Sequence, residues 1–173
     1  MKCFSLFIII LFACSCSTSI NDYKNEKPVL KLDNFFSGKL IAHGFFKDRN
    51  NKVTKRFIVN MNASWKDNIG TLDEDFLYSD GSKSKRVWTL TKVNETEYIG
   101  EAPDVIGKAK GVISGNTLLW NYVLKLEVDK KIYEVTFEDW MYLIDDSNLM
   151  NQSYMSKFNI NLGQVVLNIQ KIK

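Results

Sequence analysis

Three charged residues of this chain have the side-chain types and sequence positions for chemistry in a sheet interior. Glu74, Arg86 and Asp139 each interrupt a stretch of alternating apolar residues. Two inward carboxylates could act as a general acid and a general base, the pair that glycoside hydrolysis uses. An arginine between them opposes that role, because its positive charge lowers the pKa that a general acid needs raised. Its five N–H donors can instead satisfy both carboxylates, so we expect one buried network of all three side chains.

The sequence contains few residues from which other kinds of site could be built. His43 is the only histidine, which excludes a metal site built from several histidines. All three cysteines lie in the first 16 residues, so the folded part has no disulfide framework, thiolate metal site or cysteine nucleophile. The formal net charge is only +3, and charges of both signs are interspersed. The sequence therefore shows no basic patch of the kind that binds nucleic acid. We therefore predict no metal, no cofactor and no catalytic residue.

The first residues predict export followed by lipid attachment. Residues 1–13 hold an apolar run that is too short for a bilayer, which needs about 20 apolar residues. The run is typical of the apolar region of a secretory signal. Cys14 follows with Leu11 at position minus three and Ala13 at minus one, as in a bacterial lipobox. We predict lipidation at Cys14, with Cys16 as the alternative.

The domain boundaries follow from this reading. Residues 14–32 would comprise the lipidated cysteine and a polar, flexible tether, and residues 33–173 a single domain with a substantial core. Serine follows either candidate cysteine, which resembles the outer-membrane sorting signal of Gram-negative bacteria. We expect a domain anchored in the outer membrane and facing the periplasm, with the membrane as its partner.

From residue 38 onward, short stretches of alternating residues are separated by turn signals every 8–12 residues. This pattern predicts an all-β fold. About 8–10 strands in sequential hairpins favour an up-and-down antiparallel barrel, because closure removes exposed strand edges. A two-sheet β-sandwich is the alternative. One helical turn is predicted at "LDNFFSG", with Asp33 as its cap and Gly38 at its end.

Hairpin loop lengths decide which side chains face each other, since they set the register of the strands. A two-residue turn at 115–116 places Gly111 opposite Trp120 and Ala109 opposite Tyr122. Small residues then meet large ones, as a packed interior requires. The small residues either leave room for a ligand or let the barrel curve.

The next hairpin brings the aspartate to the interior. A two-residue turn at 129–130 places Asp139 opposite Trp120 and Tyr122 opposite Phe137. The indole N–H of Trp120 is then a further donor for Asp139.

Two more hairpins complete the prediction. A three-residue loop at 79–81 places Glu74 opposite Arg86. A turn at 162–163 turns Phe158 toward the core.

The predicted interior combines these charged groups with aromatic rings. Such a surface suits an amphipathic ligand, because ligand pockets are mostly apolar with a few placed polar groups. The predicted ligand-binding set is Glu74, Arg86, Trp88, Trp120, Tyr122, Phe137 and Asp139. A purely structural ion network inside a filled barrel is the competing interpretation.

Long segments of the chain resemble a known family. They are "FFSGKLIAHGFFKDR", "TLDEDFLYSDG", "RVWTLTK", "APDVIGKAKGVISGNTLLWNYVL", "FEDWMYLIDD" and "NQSYMSKF". These segments resemble an uncharacterised family of proteobacterial lipoproteins, known only as a domain of unknown function, over residues 33–170. The resemblance implies a lipocalin-type barrel and supplies no catalytic residues.

Three functions are open at this point. The first is a periplasm-facing, membrane-anchored lipoprotein that binds or shields an apolar or amphipathic ligand, such as a fatty acyl chain or a lipid. The second is an accessory envelope lipoprotein with a filled barrel, for which Leu119 and Trp140 on the outer face are candidate partner contacts. The third, with least support, is a hydrolase or isomerase that uses Glu74 and Asp139.

Overall fold

The alternating residues build ten antiparallel strands that close into one barrel. The computed structural model describes residues 18–128 and 130–172, so the predicted signal and the two candidate lipidation sites lie outside the described residues. The strands are β1 Gly38–Asp48, β2 Val53–Lys66, β3 Ile69–Tyr78, β4 Lys83–Lys92, β5 Glu97–Glu101, β6 Val105–Ser114, β7 Thr117–Val128, β8 Lys131–Leu143, β9 Asn148–Lys157 and β10 Ile160–Lys171.

Each strand pairs with the next along the chain, and β1 pairs with β10 to close the barrel. Closure gives each of the ten strands two paired neighbours, so the sheet needs no helix to cover an edge. The prediction of an up-and-down barrel is confirmed, and the two-sheet alternative is excluded. Among residues 18–128 and 130–172, no helix has the length and apolar character that a bilayer crossing requires.

The two ends of the barrel differ. The end with loops 67–68, 93–96, 115–116 and 144–147 is covered by helix α1, Leu32–Phe35, and we call it the closed end. Leu32, Phe35 and Phe36 are buried there, and the indole N–H of Trp65 donates to the Phe36 carbonyl at 2.8 Å. The opposite end carries loops 49–52, 79–82, 102–104 and 158–159, and we call it the open end.

Helix α1 confirms the predicted helical turn but not its cap. The helix begins at Leu32 after Lys31, and no side chain caps it. The helix starts two residues earlier than a cap at Asp33 would set, so Asp33 falls within the first turn. Its carboxylate binds Lys92 Nζ at 3.0 Å instead of capping. Gly38, at φ +82°, then turns the chain into β1 as expected.

The segment before α1 lies on the barrel wall. A 3₁₀ turn, Ile20–Tyr23, is capped by Ser19, and the Tyr23 ring packs 6.0 Å from that of Trp140. Farther on, the Leu30 N–H donates to the Gly115 carbonyl at 2.9 Å. The stretch predicted as a flexible tether therefore contacts the barrel at Tyr23 and Leu30, while residues 24–27 between them are exposed. It also covers Trp140, which is buried and unavailable as the predicted partner contact.

Most of the predicted registers are confirmed. Trp120 pairs with Asp139 and with Gly111, and Glu74 pairs with Arg86. The three-residue loop at 79–81 also forms as expected, because the Tyr78 N–H donates to the Ser82 carbonyl across it.

The register prediction for Ala109 is wrong. Strand β6 bulges between Ile106 and Lys110, where Gly107 adopts φ +68°. The extra residues break the pairing with β7 at Tyr122, so Ala109 keeps a partner only on its other side, Gly100 on β5. A bulge adds residues to a strand without a recognisable change in the alternation of apolar residues. A register that is counted from loop lengths therefore cannot detect it.

The predicted turn at 162–163 is also wrong. The chain turns at Phe158 and Asn159, both with positive φ, and the Phe158 side chain is 87% exposed. Gly163 lies at a bulge in β10. The backbone there approaches the Lys47 carbonyl so closely that a Cβ would clash. The glycine that indicated a turn in the sequence is there for close packing of the backbone.

Candidate ligand-binding cavity

A cavity of about 790 Å³ occupies the barrel interior. Leu32 and Phe36 form its floor at the closed end. At the other end it reaches Tyr78, Val128 and Tyr133, and the last two are exposed at the rim. The cavity is therefore accessible from the open end, and the barrel is not filled by its own side chains.

The cavity wall is largely apolar and aromatic. Six of the seven predicted ligand-binding residues line it: Glu74, Arg86, Trp88, Trp120, Tyr122 and Phe137. The rings form a continuous cluster. Trp88 meets Trp120 and Tyr122 edge to face, with ring centres 5.9 and 5.5 Å apart, and Tyr122 stacks on Phe137 at 5.0 Å.

Two glycines hold Trp120 in place. Gly100 on β5 and Gly111 on β6 lie directly against its indole, and a Cβ on either would clash with the ring. The sequence left open whether such small residues make room for a ligand. At Gly111 the space is taken by Trp120 itself, so this glycine shapes the wall of the cavity and adds no volume.

Arg86 binds Asp104 and not the two inward carboxylates. Arg86 Nη2 lies 2.7 Å from Asp104 Oδ2, and Nε donates to both carboxylate oxygens at 2.9 and 3.1 Å. The expected network is therefore wrong in its pairing. Asp104 lies in the loop before the β6 bulge, so strand parity gave no signal for it, and its planar carboxylate matches the guanidinium fork.

Glu74 lines the cavity, and one of its two carboxylate oxygens is unpaired. It is 8% exposed, and its Oε2 atom has no hydrogen-bond partner. Burial raises the pKa of this carboxyl to about 7, while the positive charge of Arg86 and a hydrogen bond from Trp88 oppose the rise. Glu74 is thus a buried acid whose pKa is raised toward neutral pH.

Asp139 is buried but does not line the cavity. Its Oδ2 accepts a hydrogen bond from the Tyr122 hydroxyl at 3.3 Å, and its Oδ1 has no partner. The expected hydrogen bond from Trp120 is not formed; Tyr122 takes that role. Burial raises the Asp139 pKa to about 7, and the hydroxyls of Ser153 and Tyr122 oppose the rise.

Two polar residues of the wall were missed from the sequence. Asn151 and Ser153 on β9 are buried and line the cavity. The Asn151 amide donates to Ser153 Oγ at 3.1 Å, while Asn151 Oδ1 has no partner. Their alternation with Met155 was the available signal, and the misplaced turn at 162–163 obscured it.

Comparison with known proteins identifies the family. A family model described as a protein of unknown function, DUF3833, matches residues 8–171. The chain belongs to the DUF3833 family. The predicted membership of an uncharacterised family is confirmed, whereas lipidation and proteobacterial origin stay predictions. A comparison with the curated proteins finds no match.

Solved structures share the barrel of this DUF3833 protein. The S-type phycobiliprotein lyase CPES from Guillardia theta superposes with a TM-score of 0.62 at 8% identity, covering 83% of this chain and 94% of the lyase. A protein of unknown function from the DUF3598 family of Nostoc punctiforme gives 0.58 at 10% identity, covering 85% of this chain and 51% of that one. At such identities the likeness shows the fold alone.

In the part of the DUF3833 chain that the structure describes, side chains that could bind a metal do not cluster. Within the described ranges, no three histidine, cysteine, aspartate or glutamate side chains come together as a metal site would require. His43 is exposed on the outside of β1, away from the cavity.

Proposed function

We propose that this DUF3833 protein holds an apolar or amphipathic molecule, of the fatty-acyl class, inside its barrel. The observation that carries the proposal is the cavity of about 790 Å³ with its apolar wall and one accessible end. Small-molecule pockets fall at about 300–1,000 Å³. Barrels of this strand number can hold one small ligand. An acyl chain suits this shape because its length can follow the barrel axis.

The polar residues of the wall support an amphipathic ligand over a purely apolar one. Glu74 on β3 and Asn151 and Ser153 on β9 are polar residues of a wall that is otherwise mostly apolar. Burying polar atoms is unfavourable unless they are hydrogen-bonded. A ligand with one polar group and a long apolar part matches this distribution.

The cellular setting remains a prediction from the first residues. Lipidation at Cys14, or at Cys16, would attach the barrel to the outer membrane with the domain in the periplasm. The apolar run in residues 1–13 and the small residue before Cys14 support this reading. In that setting the barrel would shield an acyl chain from water at the membrane.

An acid–base enzyme has less support than a binding protein. The pKa values of Glu74 and Asp139 are both raised to about 7, which favours such chemistry. Asp139, however, does not line the cavity, and Tyr122 hydrogen-bonds it from the cavity side. We therefore propose binding without catalysis.

Native mass spectrometry of the full chain purified from its host tests the proposal. We expect a bound species with the mass of an acyl compound or lipid. A cavity-filling change, Met155→Trp, should remove that species, because Met155 lines the cavity. Tyr154→Trp is the matched control, since Tyr154 lies on the outer face of the same strand. Empty wild-type protein that also fails to bind an added fluorescent fatty-acyl probe would refute the proposal.

A further inference from the structure

We infer that the ligand's polar group is a hydrogen-bond donor, an amine, amide or hydroxyl, which binds at Glu74 or Asn151, the two unpaired acceptors of the cavity wall, and that the protein discriminates against a free carboxylate there. The inference rests on the proposed function, since it concerns the head group of a molecule held in the same cavity. It names a chemical class of ligand that the cavity volume alone does not define.

The cavity wall has acceptor atoms without donors. Glu74 Oε2 and Asn151 Oδ1 have no hydrogen-bond partner, although each side chain is more than nine-tenths buried and lines the cavity. Buried polar atoms in folded proteins are nearly always hydrogen-bonded, and exceptions call for a missing partner. With Glu74 ionised, both missing partners are donors, so a ligand that supplies N–H or O–H groups would satisfy them.

Three nearby side chains already use donors elsewhere. Arg86 directs Nε and Nη2 at Asp104, the Asn151 amide donates to Ser153, and the Tyr122 hydroxyl donates to Asp139. The bidentate geometry of the arginine leaves its charge largely balanced by a carboxylate that is not part of the wall.

Electrostatics lead to the same ligand class. The charged and titratable groups that act on Glu74 are Arg86 on β4, Asp104 in the 102–104 loop and Asp139 on β8. One cation thus faces up to three carboxylates. A ligand carboxylate would add another like charge, which is unfavourable in a buried site. A ligand ammonium group would stabilise the ionised form of Glu74.

The pH dependence follows from the Glu74 pKa of about 7. Above pH 7 this carboxyl is mostly ionised, so it attracts an ammonium group and repels a carboxylate. Below pH 7 its protonated form can donate to a carboxylate, and the discrimination weakens. Affinity for an amine should therefore rise from pH 6 to pH 8, while affinity for a fatty acid should fall.

The experiment compares dodecylamine, dodecanamide, dodecanol and dodecanoate as competitors of a fluorescent acyl probe bound to the full chain. At pH 8 we expect dodecylamine to displace the probe at a concentration about tenfold lower than dodecanoate does, the scale of one hydrogen bond to a charged group. Dodecanamide and dodecanol should lie between them. Together the four compounds separate a cationic donor from a neutral one.

Two variants connect the preference to the site. Glu74→Gln should abolish the advantage of the amine and its pH dependence, and Asn151→Leu should weaken dodecanamide several-fold. Glu134→Gln is the control, because Glu134 is exposed on the outer face of β8. Asn151→Leu also tests the inference if Glu74→Gln fails to fold, which its thermal unfolding would report.

The possible outcomes separate the inference from the proposed function. Equal or stronger displacement by dodecanoate at pH 8 would overturn the inference and leave acyl binding intact. In that case the ligand's carboxylate would bind elsewhere in the cavity, for example at Lys55 and Lys157 near the rim. A preference for the amine that survives both variants would overturn it as well. If no compound of the series binds, the proposed function fails and the inference fails with it.

Discussion

Arg86 and Asp104 form a bidentate ion pair at the wall of the cavity, with Nη2 2.7 Å from Oδ2. The pair decides the electrostatics of the site, because it leaves Glu74 without a bonded cation even though Glu74 lies directly across from Arg86 in the sheet. Two oppositely charged residues that face each other across neighbouring strands therefore do not form an ion pair here.

A double-mutant cycle measures this choice of partner. We compare Arg86→Leu with Asp104→Asn and with Glu74→Gln, singly and in pairs, by urea unfolding at pH 8. The Arg86–Asp104 coupling energy should be about 1 kcal/mol, a moderate value because both side chains retain some solvent contact. The Arg86–Glu74 coupling should be smaller, since no hydrogen bond joins them. A larger coupling to Glu74 would restore the pairing expected from the sequence and contradict the structure.

Glu74 should make stability depend on pH in a defined direction. Its pKa is raised by burial from 4.5 to about 7, so the folded protein binds a proton that the unfolded chain releases between these values. Stability from this group is therefore fully present below about pH 4.5 and is lost as the pH rises to about 7. Each unit by which the folded and unfolded pKa values differ corresponds to about 1.4 kcal/mol of unfolding free energy.

The comparison with Glu74→Gln isolates that contribution from all other titrating groups. We expect the difference in unfolding free energy between wild type and variant to change steadily between pH 5 and pH 7, with wild type losing stability relative to the variant. Glu134→Gln, on the exposed face, should show no such trend. A flat difference for Glu74→Gln would mean that the folded-state pKa is not raised.

The sequence predicts the strand pairing well where tight loops follow regular strands. The Trp120–Asp139 and Glu74–Arg86 pairs both follow from loop length and alternation alone. Both failures involve bulges, at Gly107 and at Gly163, because an inserted residue shifts the register without altering the composition. Glycine in a sequence indicates special backbone geometry, but it does not tell a turn from a bulge.

The site was less predictable than the fold, for a physical reason. Six of seven expected residues line the cavity because inward parity is a local property of each strand. Asp104 was missed because it lies in a loop, where its direction depends on the tertiary path of the chain. The alternation of apolar residues also does not predict whether side chains fill the interior. That depends on the diameter of the closed ten-stranded barrel.

Gly115 is predicted to be essential for the segment that covers the barrel wall. It adopts φ +57°, and a Cβ there would clash with the Tyr23 carbonyl. Gly115→Ala should therefore cost more than the approximately 1 kcal/mol of a left-handed non-glycine residue. Displacement of Tyr23 should also expose Trp140 and shift its fluorescence to longer wavelength. Urea unfolding and emission spectra measure both effects.

Gly81→Ala is the control for that experiment. Gly81 also has positive φ, at +82°, but a Cβ there meets no atom within 4 Å. The variant should carry only the backbone cost and leave the Trp140 emission unchanged. Equal destabilisation by the two substitutions would show that contact between the N-terminal segment and the 115–116 turn contributes nothing to stability.

The predicted lipid anchor can be tested by exchanging one atom at each candidate cysteine. Cys14→Ser should move the protein from the membrane to the soluble fraction of its host, because a serine hydroxyl cannot carry the thioether-linked lipid. Cys16→Ser should leave it in the membrane, since the residues before Cys16 match the lipobox less well. Loss of partitioning only with Cys16→Ser would move the anchor by two residues, closer to the 3₁₀ turn that Ser19 caps. Membrane retention in the double variant would instead mean that the apolar run of residues 1–13 holds the chain without a lipid.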